Sequence, residues 1–95
     1  MMNRYELDAR YDTQQSFYGK AYVVERKKDK KLYSYNTLVA KVTKNSDGYN
    51  EKLTLGRAAG HSATTMRHVR EFAKQEGFEV FPKTKMIETY GVTTF

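Results

Sequence analysis

From Phe17 the chain alternates: Phe17, Gly19, Ala21 and Val23 fall on one side of an extended backbone, and Tyr18, Lys20, Tyr22 and Val24 on the other. A period of two is the mark of a strand. The alternation resumes in Leu32-Tyr33-Ser34-Tyr35 and in Leu38-Val39-Ala40-Lys41-Val42. The break between them at Asn36-Thr37 is expected to be a tight hairpin, or a bulge in one longer strand, because Asn tolerates the left-handed backbone of such turns. Asn45-Ser46-Asp47-Gly48 is a strong turn signal, after which Leu53 and Leu55 stand at strand spacing. Strands are therefore expected within residues 16–55. Between the first two runs, Glu25-Arg26-Lys27-Lys28-Asp29-Lys30-Lys31 shows no apolar period and reads as a solvated hairpin loop. Residues 1–15 carry Tyr5, Leu7 and Tyr11 at no regular interval and read as an arm without an element of its own.

Past Gly56-Arg57-Ala58-Ala59-Gly60 the period becomes helical. Met66, Val69, Phe72 and Ala73 share one face at about 100° per residue, and Arg67, Arg70 and Lys74 line its edge. Ser62 suits an N-cap and Gly77 a left-handed C-terminal cap, which places the main helix at residues 62–76. Burying Met66, Val69 and Phe72 contributes roughly 1.5 to 3 kcal/mol each, and exposed cations contribute little. The first set thus builds the core and the second faces solvent. In the extension at residues 77–95, Phe78, Val80 and Phe81 cover the core, Pro82 bars a helix from running through, and residues 83–90 add one or two helical turns with Met86, Ile87 and Tyr90 inward and Gly91 at the end. The expectation is a single α+β domain over residues 1–95: an antiparallel sheet of three to five strands packed on one main α-helix, with a short C-terminal helical segment. The small residues Gly19 and Ala21 let the helix approach one sheet face, so the other carries Tyr18, Lys20, Tyr22, Tyr33, Tyr35 and Lys41.

Composition narrows the partners. The chain has no cysteine, which removes disulfides and thiolate metal ligands, and 39% hydrophobic residues with 14% aromatics suffice for a folded core. Neither a signal-peptide run at Met1 nor a membrane-length apolar stretch is present, so a cytoplasmic protein without a membrane partner is expected. A net charge of +6 points toward an anionic partner, although the same excess also serves solubility.

Four blocks in order, Tyr11-Asp12; Ser16-Phe17-Tyr18-Gly19-Lys20-Ala21; Tyr33-Ser34-Tyr35-Asn36-Thr37 with Val39-Ala40; and Ser62-Ala63-Thr64-Thr65-Met66-Arg67-His68-Val69-Arg70-Glu71-Phe72, resemble a small domain of unknown function found in proteins of bacteriophages and mobile elements of Gram-positive bacteria. The resemblance spans roughly residues 5 to 90 and brings no activity or catalytic residues. It implies a compact accessory protein acting inside an infected or element-bearing cell, that is, in a host cytoplasm.

No spacing of residues specifies an enzyme. His68 and Glu71 lie three apart on the helix, but one imidazole and one carboxylate are too few for a metal site, and His61 is the only other histidine. Thr64 and Thr65 lack an activating base and read as extra caps. No enzyme activity, cofactor or metal is expected. Two binding functions remain. Arg67, Arg70 and Lys74 on the helix edge, with Lys27, Lys28 and Lys30 of the basic hairpin, suit phosphate contacts to nucleic acid with little sequence preference. Alternatively Tyr18, Tyr22, Tyr33 and Tyr35 form a sheet face that docks on a host protein or enzyme as its regulator. Tyrosine and lysine interleaved on a sheet also suit base stacking, whereas cross-strand tyrosine pairing is the purely structural use of the same residues. Free sheet edges leave a homodimer open.

Overall fold

The computed structural model describes residues 3–12, 17, 19–44 and 51–93. Six strands form one mixed sheet in chain order: β1 (Asn3–Glu6), β2 (Ala21–Glu25), β3 (Asp29–Ser34), β4 (Thr37–Lys44), β5 (Glu51–Gly56) and β6 (Val92–Thr93). Neighbours are antiparallel except β6, which runs parallel to β5. Helix α1 (Ala63–Gln75) and helix α2 (Lys83–Tyr90) follow β5 after a single 3₁₀ turn at Arg57–Gly60. This corrects the expected three-to-five-stranded antiparallel sheet on one main helix: six strands, one of them parallel, and two helices make up the domain.

The added strands sit at the two edges. β1 lies in what read as an arm, and all four of its residues are exposed, so no alternation marks it. β6 is two exposed residues whose partner is set by the chain's return past α2. The charged segment after β2 also departs from expectation. Arg26 N–H donates to the Asp29 carbonyl at 2.7 Å, closing a turn at Lys27 and Lys28, so Lys30 and Lys31 belong to β3 rather than to a loop. At the other end of β2, the alternation from Phe17 does not start the strand. Gly19 takes φ +71° and Lys20 N–H donates to the Phe17 carbonyl, a turn that delivers Phe17 to the core ahead of Ala21. The turn signal at residues 45–48 lies outside the described residues, as do Ser16 and Tyr18.

The β3–β4 hairpin turns on Tyr35 and Asn36, at φ 51° and 65°, the pair of left-handed residues that matches the right-handed twist of flanking strands. One residue of β4 is extra against β3: Leu32 pairs with Ala40 and Tyr33 with Leu38, so Val39 bulges, and both Val39 and Ala40 become buried. The break at Asn36-Thr37 is therefore a hairpin between two strands, not a bulge in one longer strand, and the bulge at Val39 is a separate feature within β4.

Helix α1 begins as its sequence dictates. Ser62 Oγ accepts the Thr65 amide at 3.0 Å, and at the other end Gly77 (φ +90°) lets Phe78 N–H reach the Ala73 carbonyl and Gly77 N–H the Lys74 carbonyl, a Schellman cap. Met66, Val69, Phe72 and Ala73 are buried against Ala21, Val23, Leu32, Val42, Leu53 and Leu55 from the inner sheet face. Met86 of α2 enters the same core, and so does Leu7, which follows β1. Both helices lie on one side. Among the described residues the outer sheet face carries no second layer.

Candidate functional site

The six cations named from the sequence do not gather on one surface. Lys30 is on the inner side of β3, where its Nζ lies 3.2 Å from Glu25 Oε2 and 3.0 Å from Glu76 Oε1. Burial pulls the Lys30 pKa down, but the hydrogen bonds to Glu76 and Glu25 outweigh it and the net shift is upward. That ammonium is a structural tie between the sheet and the end of α1. Lys27 and Lys28 are exposed at the β2–β3 turn. Arg67 is held by Asp12, Nε at 3.2 Å from Oδ2 and Nη2 at 2.7 Å from Oδ1, a forked pairing that moves its pKa further upward. Arg70 and Lys74 remain on the helix edge and line a cleft of about 440 Å³ with Tyr11, Asp12, Arg67, Glu71 and Val80.

Glu71 builds that cleft. It is buried, and its Oε1 accepts the amides of Tyr11 (2.7 Å) and Asp12 (2.9 Å), while Oε2 accepts Gln75 Nε2 (2.6 Å). Gln75 Nε2 also donates to the Asp8 carbonyl at 2.7 Å. The segment from Leu7 to Asp12 is thereby fastened along α1, and Tyr11 is turned outward with Lys74 Nζ 4.9 Å from its ring centroid. None of this was legible in the chain. Glu71 occupies a helical position that reads as an ordinary charged flank, and its partners are 59 and 60 residues away.

On the outer sheet face the pairing register arranges residues in rows across the strands. Arg4, Val24, Lys31, Lys41 and Thr54 make one row, from β1 to β5, and Glu6, Tyr22, Tyr33 and Leu38 make the next. A third row continues Asp29, Thr43 and Lys52. The rings of Tyr22 and Tyr33 stack at 5.1 Å with 10° between planes, and the Arg4 guanidinium carbon lies 3.9 Å over Tyr22 from the β1 side. Tyr22 is thus faced on both sides, which leaves Tyr33 and the guanidinium plane as the outermost flat surfaces of the stack. A groove of about 320 Å³ opens beside it, lined by Arg4, Tyr5, Glu6, Gly19 and Tyr22. Tyr35 is elsewhere: at the hairpin tip it tilts toward His68 on the helix side, with Lys20 Nζ 5.7 Å from its ring. Tyr18 lies outside the described residues. Arg4 was not singled out from sequence, whereas Lys31 ends the basic hairpin read there and shares the two-residue period of Tyr33.

The imidazole of His68 is buried, shares a 2.7 Å hydrogen bond between Nδ1 and Ser34 Oγ, and packs edge-on against Phe17. Burial and the neighbouring Arg67 lower its pKa, so the ring is neutral at physiological pH. It is a core group, tied to β3 through Ser34. Among the described residues no group of three or more His, Asp or Glu side chains has the geometry to hold a metal ion, and no helix is long and apolar enough to cross a membrane.

No curated protein and no solved structure matches this chain. Over residues 5–89, nearly its whole length, it matches a family of unknown function, and it belongs to that family, DUF8033.

Proposed function

We propose that this protein binds single-stranded nucleic acid across the sheet face opposite its helices, with little sequence preference. The observation that carries the reading is the juxtaposition of a cationic row, Arg4, Lys31 and Lys41, with a row containing Tyr22 and Tyr33. A strand laid across β1 to β4 meets the cations of that row for its phosphates on one side and the flat ring of Tyr33 for a base on the other. Lys27 and Lys28 stand at the end of the same two strands and extend the positive surface. On the helix edge Arg67 is forked to Asp12, which leaves Arg70 and Lys74 as the cations that line the cleft there. The resemblance to proteins of bacteriophages and mobile elements supplies the setting, an accessory protein acting inside an infected or element-bearing cell.

The test is a titration of labelled oligonucleotides lacking terminal phosphates, at low salt, against wild type and single variants. Arg4→Ala and Lys31→Ala are each expected to weaken binding about three- to tenfold, and Tyr33→Leu to weaken single strands by about fivefold or more while sparing duplexes. Arg70→Ala and Lys74→Ala should leave affinity unchanged. Absence of wild-type binding at low salt, or loss with Arg70→Ala but not Lys31→Ala, would sink the proposal. If instead a host protein is retained through Tyr22 and Tyr33, the tyrosine row serves a protein partner.

A further inference from the structure

We propose that the cleft between α1 and the segment Leu7 to Asp12 is a separate site for a small phosphate monoester borne on a planar ring, the chemistry of a nucleoside monophosphate. Its volume of about 440 Å³ falls in the range of small-molecule sites. Arg70 and Lys74 line it one helical turn apart, so one cleft offers two cations to a monoester that carries nearly two negative charges. The ring of Tyr11 is 58% exposed and lies under Lys74, and Val80 adds an apolar lining. A planar base stacked on Tyr11 therefore brings its phosphate within reach of the two cations.

The two carboxylates in the wall do not compete for that role. Asp12 is forked to Arg67, and Glu71 accepts two backbone amides and Gln75. With Arg67, Arg70 and Lys74 set against Asp12 and Glu71, the cleft keeps a net positive charge carried by Arg70 and Lys74. The hydrogen bonds that the Tyr11 and Asp12 N–H groups donate to Glu71 also pin the backbone that carries Tyr11, so less ordering is left for a ligand to impose. The cleft and the cationic row lie on opposite sides of the sheet.

Calorimetric and NMR titrations of the intact chain with adenosine monophosphate, adenosine and inorganic phosphate separate the contributions. The monophosphate is expected to bind at least about tenfold more tightly than adenosine or phosphate alone, and to shift the amides of Tyr11, Arg70 and Lys74. Arg70→Ala and Lys74→Ala should each weaken it about tenfold with unchanged melting temperature, and Tyr11→Leu should weaken it while leaving the affinity for inorganic phosphate unaltered. Equal affinity for the monophosphate and inorganic phosphate, or shifts confined to Tyr22, Lys31 and Lys41, would overturn the proposal. Since the oligonucleotides used for the sheet face carry no terminal phosphate, the failure of one site is distinguishable from failure of the other.

Discussion

Glu71 illustrates how a charged residue becomes structural at the scale of single side chains. A carboxylate with 3% exposure is costly unless its lone pairs are answered, and here two amides and a side-chain amide answer them. Removing it leaves the Tyr11 and Asp12 N–H groups without their acceptor, so Glu71→Ala is expected to lower unfolding free energy by about 2 to 4 kcal/mol in urea titrations. A loss below about 0.5 kcal/mol, the range of ordinary surface changes, would show that the arm is held otherwise. His68 supplies a second test. Its folded pKa is depressed below the ordinary 6.5 by burial and then by Arg67, with Lys20 acting in the same direction and Asp12 against it. Above 6.5 both folded and unfolded forms are neutral, and as pH falls through that value the unfolded chain takes up the proton first. Stability is therefore full above the unfolded pKa and is lost as pH falls toward the folded one. Melting temperature should decline from pH 7 to pH 5.5, and the decline should be shallower in His68→Gln; parallel slopes would assign the effect to other groups.

At the scale of elements, legibility followed local cause. Helix α1 could be read from Ser62, Gly77 and the apolar spacing because caps and period are local features, and the helix spans Ala63–Gln75. Ser62→Ala should accordingly cost roughly 1 kcal/mol and Ser62→Asp little, since a carboxylate accepts the same Thr65 amide at the positive end of the helix dipole; equal melting temperatures for all three proteins would move the helix start elsewhere. β1 was illegible for the opposite reason. Its four exposed residues owe their extended form to pairing with β2, with Tyr5 opposite Val23 and Arg4 opposite Val24, not to any pattern of their own. The start of β3 was hidden similarly, because Lys30 is neutralised by Glu25 and by Glu76, 46 residues away. Leu7 carries the energetic consequence. At 1% exposure it is core, so Leu7→Ala is expected to cost about 2 to 5 kcal/mol by thermal or urea denaturation; the near-neutral outcome appropriate to a loose arm would contradict the fold.

For the whole molecule the decisive question is where the net charge of +6 acts. Sequence could place Arg67, Arg70 and Lys74 on one helix edge but could not show that Asp12 claims Arg67, because that pairing spans 55 residues. Nor could it align Arg4 with Lys31 and Lys41, since register across β1 to β4 is a property of the assembled sheet. Salt dependence distinguishes a defined row from a diffuse positive surface. Each phosphate neutralised on a single strand contributes a slope of about −0.7 in log K against log salt, so three contacts from Arg4, Lys31 and Lys41 predict a slope of about −2. Engagement of the entire net charge would instead give about −4. In Arg4→Ala the slope should flatten by about 0.7, whereas Arg67→Ala, whose guanidinium is already paired, should leave it unaltered. The measurement is an anisotropy titration of wild type and both variants at several salt concentrations. A slope near −4, or one that flattens with Arg67→Ala and not with Arg4→Ala, would move the interface from the sheet to the helix edge.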